Sequence, residues 1–382
     1  MGNCYIARFK DQSLAALFEN ETGVMAKFYK NNRWEAEHLL LSGSNLSFTA
    51  DFDSGGNLCV FAQNTKGDIV LLAYNGSKFK SRKLLNGQTV EKYPMRVHSM
   101  KNASLIYNIP NGDNKYKLIQ QNAGEKGWEK AAEIAQFISL PGIAGSLFEL
   151  QTLSPDHGLV FYNSENNLIG YKEVSTSKIC EFHPLQRPGE LILDYNFLTL
   201  KSGIHLTYVT ANMFSRRLLY RQKTTAKLSE PIVLWEGPRI ENCLLSEIDG
   251  EIWAFWSGGE NLYTAKAKGT SFEKAKIYTQ KFCKKPLRAS YITAMDYDDY
   301  FTRYVYVDSQ KPWDVQILPD MFPDFYPQPK PPEVPPPPPP PKPPSNSEYE
   351  ERLLFTLKHA EKLKEENRKL KEEISQLKKP SR

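Results

Sequence analysis

What this sequence lacks narrows its function first. No stretch approaches the roughly 20 consecutive apolar residues of a membrane-crossing helix. The opening Met1-Gly2-Asn3-Cys4-Tyr5-Ile6 runs straight into Arg8 and Lys10, where a secretory leader would have its apolar core. Ile6 stands where a myristoylation signal carries Ser or Thr. No membrane partner is therefore expected. Cysteine is scarce: five in 382 residues (Cys4, Cys59, Cys180, Cys243, Cys283), none in a CxxC and no two at metal-ligand spacing. An odd, scattered set reads as buried free thiols in a reducing compartment, which makes a cytoplasmic location the expectation.

Catalytic and cofactor motifs are missing too. The six histidines (His38, His98, His157, His183, His205, His359) form no HxxxH or HExxH, and neither GxGxxG nor a P-loop occurs. Neither a metal nor a cofactor is expected. The net charge of +5 is spread over the whole chain, without the concentrated basic footprint of a nucleic-acid binder.

What is present is β-forming and repetitive. Aromatics make up 12% of the chain, mostly 20 Tyr and 20 Phe, which suit pleated, half-buried surfaces. A unit of strand, polar turn, strand, turn, strand, loop and strand recurs, its last strand often opening on an aromatic such as Trp34 or Phe79. One marker per first turn (Asp11, Gly56, Asn102, His157, Gly203, Gly250, Asp298) recurs at gaps of 45 to 55 residues. A four-stranded unit of about that length matches one blade of a β-propeller. A lone four-stranded sheet cannot bury both faces, whereas radial stacking lets each blade cover its neighbour. Strands apolar on both faces follow, such as Ile252-Trp253-Ala254-Phe255-Trp256 and Leu159-Val160-Phe161-Tyr162. A β-sandwich array or a solenoid fits the unit less well. The expected fold is all-β: a seven-bladed β-propeller of four-stranded antiparallel blades over residues 1–322. The seventh unit is short, since Asp298 to Trp313 spans 15 residues against 23 from Asp11 to Trp34.

Ile204–Val209 followed by Leu218-Leu219-Tyr220-Arg221, and Glu251–Ser257 followed by Asn261–Lys266, loosely resemble the repeat of sialidase-like propellers. Proper Asp-boxes are absent: Ser154-Pro155-Asp156-His157-Gly158 carries the letters but lies between the first two strands of its unit. WD dipeptides do not recur with the repeat either: the sequence holds a single one, Trp313-Asp314. The repeat alignment puts Arg8, Arg96 and Arg288 on the first strands of units one, three and seven. Three arginines converging at the channel mouth would bind a carboxylate. A sialidase-type enzyme would further need a Tyr nucleophile with a Glu partner and an Asp acid/base. Tyr291, Glu241 and Asp194 are available, but no motif selects them, and no catalytic residue is assigned. Pairing of the arginines with acids is the plainer alternative. Ligand contact is also expected from loops joining strands two and three, such as Asn163–Asn167 and Thr210–Arg217. Trp235, Trp253 and Trp256 suit sugar stacking, or more simply packing between blades.

Composition changes after Met321. Residues 323–346 are proline-dominated, with an unbroken run Pro335–Pro341, and polyproline II is the default for such a segment. It serves as a semi-rigid spacer, or as a groove-binding PxxP ligand beside Lys330 and Lys342. From Ser347, with Glu350 completing a capping box, to Pro380 runs a heptad helix (347–380). Leu353, Ala360, Asn367 and Ile374 occupy a; Thr356, Leu363, Leu370 and Leu377 occupy d. Glu366 and Glu373 at g face Lys371 and Lys378 at e in a parallel pair, and a single Asn at a favours two strands. The tail resembles a leucine zipper. Self-association as a dimer, docking on a partner's helix, and an isolated helix are the alternatives. Three readings follow: a non-enzymatic module binding a protein or glycan and multimerised by its tail, a glycan-processing enzyme, and an adaptor docking through the tail.

Overall fold

The computed structural model describes residues 4–317, except 32, 44–46, 87–94, 100–103, 113–114, 125–126, 139–147, 155–156, 165–167, 176–178, 187–190, 212–214, 270, 280–285 and 296–299, together with eight residues between 358 and 369. Two compact units emerge, Met1–Phe325 and Tyr326–Arg382.

The first unit is built from antiparallel sheets whose strands follow one another in chain order. Repeat one covers Tyr5–Ser42, repeat two Phe48–Leu85, repeat three Met95–Ile138, repeat four Phe148–Gln186, repeat five Leu191–Gly237 and repeat six Glu241–Thr279. A closing segment contributes Pro286–Thr293, Tyr304–Asp308 and Lys311–Ile317. Of the expected first-turn markers, Asp11, Gly56 and Gly250 fall between the first and second strands of their repeats, His157 and Gly203 open the second strand, and Asn102 and Asp298 lie outside the described residues. Local chemistry explains the turns that are described. Asp11 accepts from the Ser13 amide at 3.0 Å, and Asp53 accepts from the Gly55 and Asn57 amides at 2.9 and 2.8 Å, so each carboxylate replaces a missing backbone acceptor. The outermost strand is split in repeats one, three and six, and its short first part carries Trp34, Trp128 or Phe272.

The first strands (Tyr5–Arg8, Phe48–Phe52, Met95–Ser99, Phe148–Ser154, Leu191–Leu200, Glu241–Ile248 and Pro286–Thr293) lie side by side around an axis. Side chains join many of them. Gln151 exchanges two hydrogen bonds with the Thr199 backbone, at 2.9 Å each. Asp194 and Asn196 accept from the Cys243 and Leu245 amides at 2.9 Å. Asn242 donates to the Pro286 carbonyl at 3.1 Å, and Tyr5 to the Thr49 hydroxyl at 3.0 Å. The topology is that of a β-propeller. Ring closure is direct, because Tyr5–Arg8 pairs in parallel with Pro286–Thr293, and this merges repeat one and the closing segment into an eight-stranded sheet. Parallel pairing is what two innermost strands must show when all of them run the same way along the axis.

Apolar clusters fill the spaces between neighbouring sheets. One joins repeats one and two through Phe28, Phe48, Val60 and Tyr74. Another joins repeats five and six through Val209, Leu218 and Trp256, the last fully buried. Trp256 thus packs between blades, and Trp235 stands against it at 6.1 Å. In the second unit the described residues, Lys358 and seven between 361 and 369, are helical and exposed, with an Arg368–Glu365 ion pair at 2.8 Å. The proline segment and the heptad residues Leu353, Ala360, Leu363, Asn367, Leu370, Ile374 and Leu377 lie outside the described residues.

Candidate functional site

The axis is where the sequence placed an anion site. The register there separates two of its three arginines. Arg8 pairs with Thr293, and Arg288 lies five positions earlier on the same strand, roughly 16 Å away at about 3.3 Å per residue. Arg288 is also fully engaged. Its guanidinium forms an ion pair with Asp194 (Nη2 to Oδ1 3.0 Å, Nη1 to Oδ2 3.4 Å) and donates to the Tyr195 and Cys243 carbonyls. It also lies 5.2 Å from the centre of the Tyr304 ring. The two charged side chains are only 6% and 3% exposed. Burial pushes the Asp194 carboxyl up from its ordinary value, and Arg288 and the Cys243 and Tyr195 amides pull it back. Glu149, also buried, adds negative charge near Arg288.

Arg8 is buried and its carbonyl accepts from the Ala294 amide at 2.9 Å. Arg96 sits opposite Ile106 on the first strand of repeat three, and its side chain lies outside the described residues. The remaining candidates are also apart. Tyr291 packs in the apolar cluster of repeat one and the closing segment, and Glu241 takes surface contacts from Arg239 at 3.2 Å and Arg216 at 3.8 Å. The axis itself is occupied. Tyr300–Thr302 pairs with the inward edge of Glu241–Ile248, and the Arg303 guanidinium donates to the Leu150 carbonyl of repeat four. Among the described residues the loops Asn163–Asn167 and Thr210–Arg217 are represented only by their ends. Of the Asp-box letters, Ser154 ends the first strand of repeat four, His157-Gly158 open the second, and Pro155-Asp156 lie outside the described residues.

An open cleft lies elsewhere, between the outer halves of repeats one and two, with a volume of about 530 Å³. Repeat one supplies Phe28 and Lys30 from its third strand and Glu35 and His38–Leu40 from its split outer strand. Repeat two supplies Tyr74, the turn 76–78, Phe79 and Ser81. Its floor is aromatic. Phe28 stacks on Tyr74 at 4.7 Å and 29°, and Phe79 leans on Tyr74 at 4.9 Å. The Tyr74 hydroxyl donates to the Gly76 carbonyl at 2.8 Å and receives the Lys30 ammonium at 3.3 Å. Lys30 also stands 5.2 Å above the Phe28 ring, whose face attracts a cation. The turn presenting Ser77 and Lys78 is dictated locally. The Asn75 side chain accepts from the Ser77 amide and hydroxyl and from the Lys78 amide, and Gly76 takes the φ of +90° that the reversal requires.

No protein-family model matches the chain, and no curated protein does. Solved structures similar to it include the Aleuria aurantia lectin in complex with Fucα1-6GlcNAc, at 12% identity over 72% of this chain and 94% of that one, with a TM-score of 0.43. The SapL1 lectin in complex with α-methyl fucoside is 13% identical over 73% of this chain and 96% of its own, with a TM-score of 0.43. The WD40 domain of SCAP from fission yeast is 10% identical over 81% of this chain and 75% of its own, with a TM-score of 0.45.

The cleft draws on strands three and four of two repeats, so neither the strand-two-to-three loops nor the channel mouth pointed to it. The available signal was Phe79, the aromatic that opens the outer strand of repeat two, next to the Asn75–Lys78 turn.

Proposed function

We propose that this protein is a non-enzymatic binding module whose propeller takes a saccharide in the cleft between repeats one and two. The composition of the cleft carries the reading. Its volume falls among small-ligand sites, roughly 300–1,000 Å³. An aromatic and aliphatic surface there meets a few polar groups, among them Lys30, Glu35, His38, Ser77, Lys78 and Ser81. A sugar ring needs both at once: carbon to cover its C–H face, and donors and acceptors for its hydroxyls. The axis supports the same conclusion from the other side, because Asp194 and Arg288 are spent on each other and on backbone groups.

A glycan array probed with the full chain tests this, alongside Ser81→Trp. Ser81 is exposed, so an indole there fills the cleft without entering the core. The expected result is an array signal that the variant loses at an unchanged unfolding midpoint. A signal that survives the variant moves the site elsewhere and refutes the reading.

We further read the sheets as seven blades, the closing one three-stranded and merged with the first. The heptads of the tail support multimerisation of the propeller on its proline stalk, which would raise avidity without new contacts. Sedimentation of the full chain as a dimer, and of a chain ending at residue 346 as a monomer, is the expected result. A monomeric full chain refutes this part alone.

A further inference from the structure

The geometry of the cleft points to a narrower ligand class, an inference that rests on the saccharide reading above: an anionic saccharide, with its acid group at Lys30 and Lys78. The charged lining residues are Lys30, Lys78, Glu35 and, when protonated, His38. Lysines close by have acidic partners: Lys27 reaches Glu37 at 3.7 Å and Lys83 reaches Asp68 at 3.7 Å. Neither Lys30 nor Lys78 forms such a close ion pair among the described residues, although Asp11, on the first turn of repeat one, lies within Coulombic reach of Lys30.

Lys30 is the more telling of the two. It is half-buried, on the third strand of repeat one. Its ammonium contacts the Tyr74 oxygen and the faces of Phe28 and Tyr74. An ammonium has three donors, and the Tyr74 oxygen takes one. Rings attract a cation but do not neutralise it, and burial weakens the hydration that would. An arriving carboxylate or sulfate would meet the remaining donors in a setting where charge-assisted bonds are strong. Lys78, exposed on the repeat-two turn, lines the same cleft and adds to the positive field. The aromatic floor meanwhile accommodates the ring. A neutral sugar would leave Lys30 with only the more distant Asp11 charge opposite it.

The test is calorimetric titration of the full chain with three matched probes: methyl β-glucoside, methyl β-glucuronoside and methyl β-glucoside 6-sulfate, repeated in the galacto series. At least one acid form should bind about tenfold tighter than its neutral partner, the gain expected of one charge-assisted bond. That preference should shrink as salt rises. Lys30→Gln should remove most of the preference, read as the ratio of acid to neutral affinity within the same variant. Lys78→Gln, at an exposed turn where folding is not at stake, should remove part of it. Whichever acid form binds tighter names the acid. Equal affinity for neutral and anionic forms, or a tenfold preference that survives both lysine variants, overturns this inference and leaves the saccharide reading intact. No binding of any probe, together with an array signal indifferent to Ser81→Trp, overturns the saccharide reading itself.

Discussion

Replacing Arg288 with Met tests the account of the axis most directly. The guanidinium touches Asp194 through both carboxylate oxygens and donates to two carbonyls, one on repeat five and one on repeat six. Methionine roughly fills the space and removes every one of those donors. Asp194 would then remain 3% exposed, with the Cys243 and Tyr195 amides as its main support. Breaking a buried pair from one side costs about 3–5 kcal/mol, because the surviving charge is left uncompensated. With a urea slope near 3 kcal/mol per molar, at the upper end for a chain this large, the unfolding midpoint should fall by roughly 1–1.7 M. Asp194→Asn combined with Arg288→Met should cost less than the sum of the single changes, with a coupling of up to about 3 kcal/mol. Arg288→Lys should rescue little, since one ammonium cannot span both carboxylate oxygens and two carbonyls. A single variant within about 1 kcal/mol of wild type, or strict additivity, would refute the view that this pair binds repeats five, six and the closing segment together.

Two titrating groups should shape stability against pH with opposite signs. Burial pushes Asp51 up to about 6 from 3.8, opposed by the Phe52 amide and Arg303. The native state then holds the proton more tightly, so stability falls as pH rises from about 4 to 6, by an order of 2–3 kcal/mol. Asp51→Asn should remove that fall and stabilise the protein above pH 6, as urea midpoints across pH would show. Burial lowers His205 to about 4 from 6.5, between the Tyr220 hydroxyl at 2.6 Å and the Ser202 hydroxyl at 2.8 Å. Here the unfolded chain binds the proton first, so stability is lost as pH drops from about 6.5 to 4, and His205→Gln should flatten that limb. Gly23→Ala should destabilise by about 2 kcal/mol or more, read as a lowered melting point, since its Cβ would meet the Leu41 carbonyl oxygen at 1.9 Å. Hydrogen exchange should find the Ser290 and Ala294 amides, which bond to Cys4 and Arg8, as protected as interior strands. Fast exchange there would mean that the ring opens at this seam.

The repeats were legible because several first turns have a local cause. Asp11, Asp53 and the Gly203 and Gly250 turns need only their own neighbours, and the strands between them carry apolar residues on both faces. The role of Trp256 was legible for the same reason, as part of an unbroken apolar strand. The short final unit showed in the spacing, but its remedy did not. Parallel pairing of Tyr5–Arg8 with Pro286–Thr293 joins residues some 280 positions apart, and no local preference announces a partner at that distance. Arg8 and Arg288 illustrate the limit well. Both lie on first strands, as the alignment required, but only the register of the seam sets them five positions apart.

By itself, then, the sequence determined the strands, the turns, the repeat and the break in composition at the proline segment, because backbone preference and side-chain alternation act over a few residues. The tertiary structure alone decided which charges neutralise each other and which face an open cleft. Asp194 meets Arg288, and Lys30 meets Tyr74, across sheets that the chain reaches only after dozens of residues. Where a charge ends up depends on how neighbouring blades stack, and that is settled by packing between sheets rather than by any one strand.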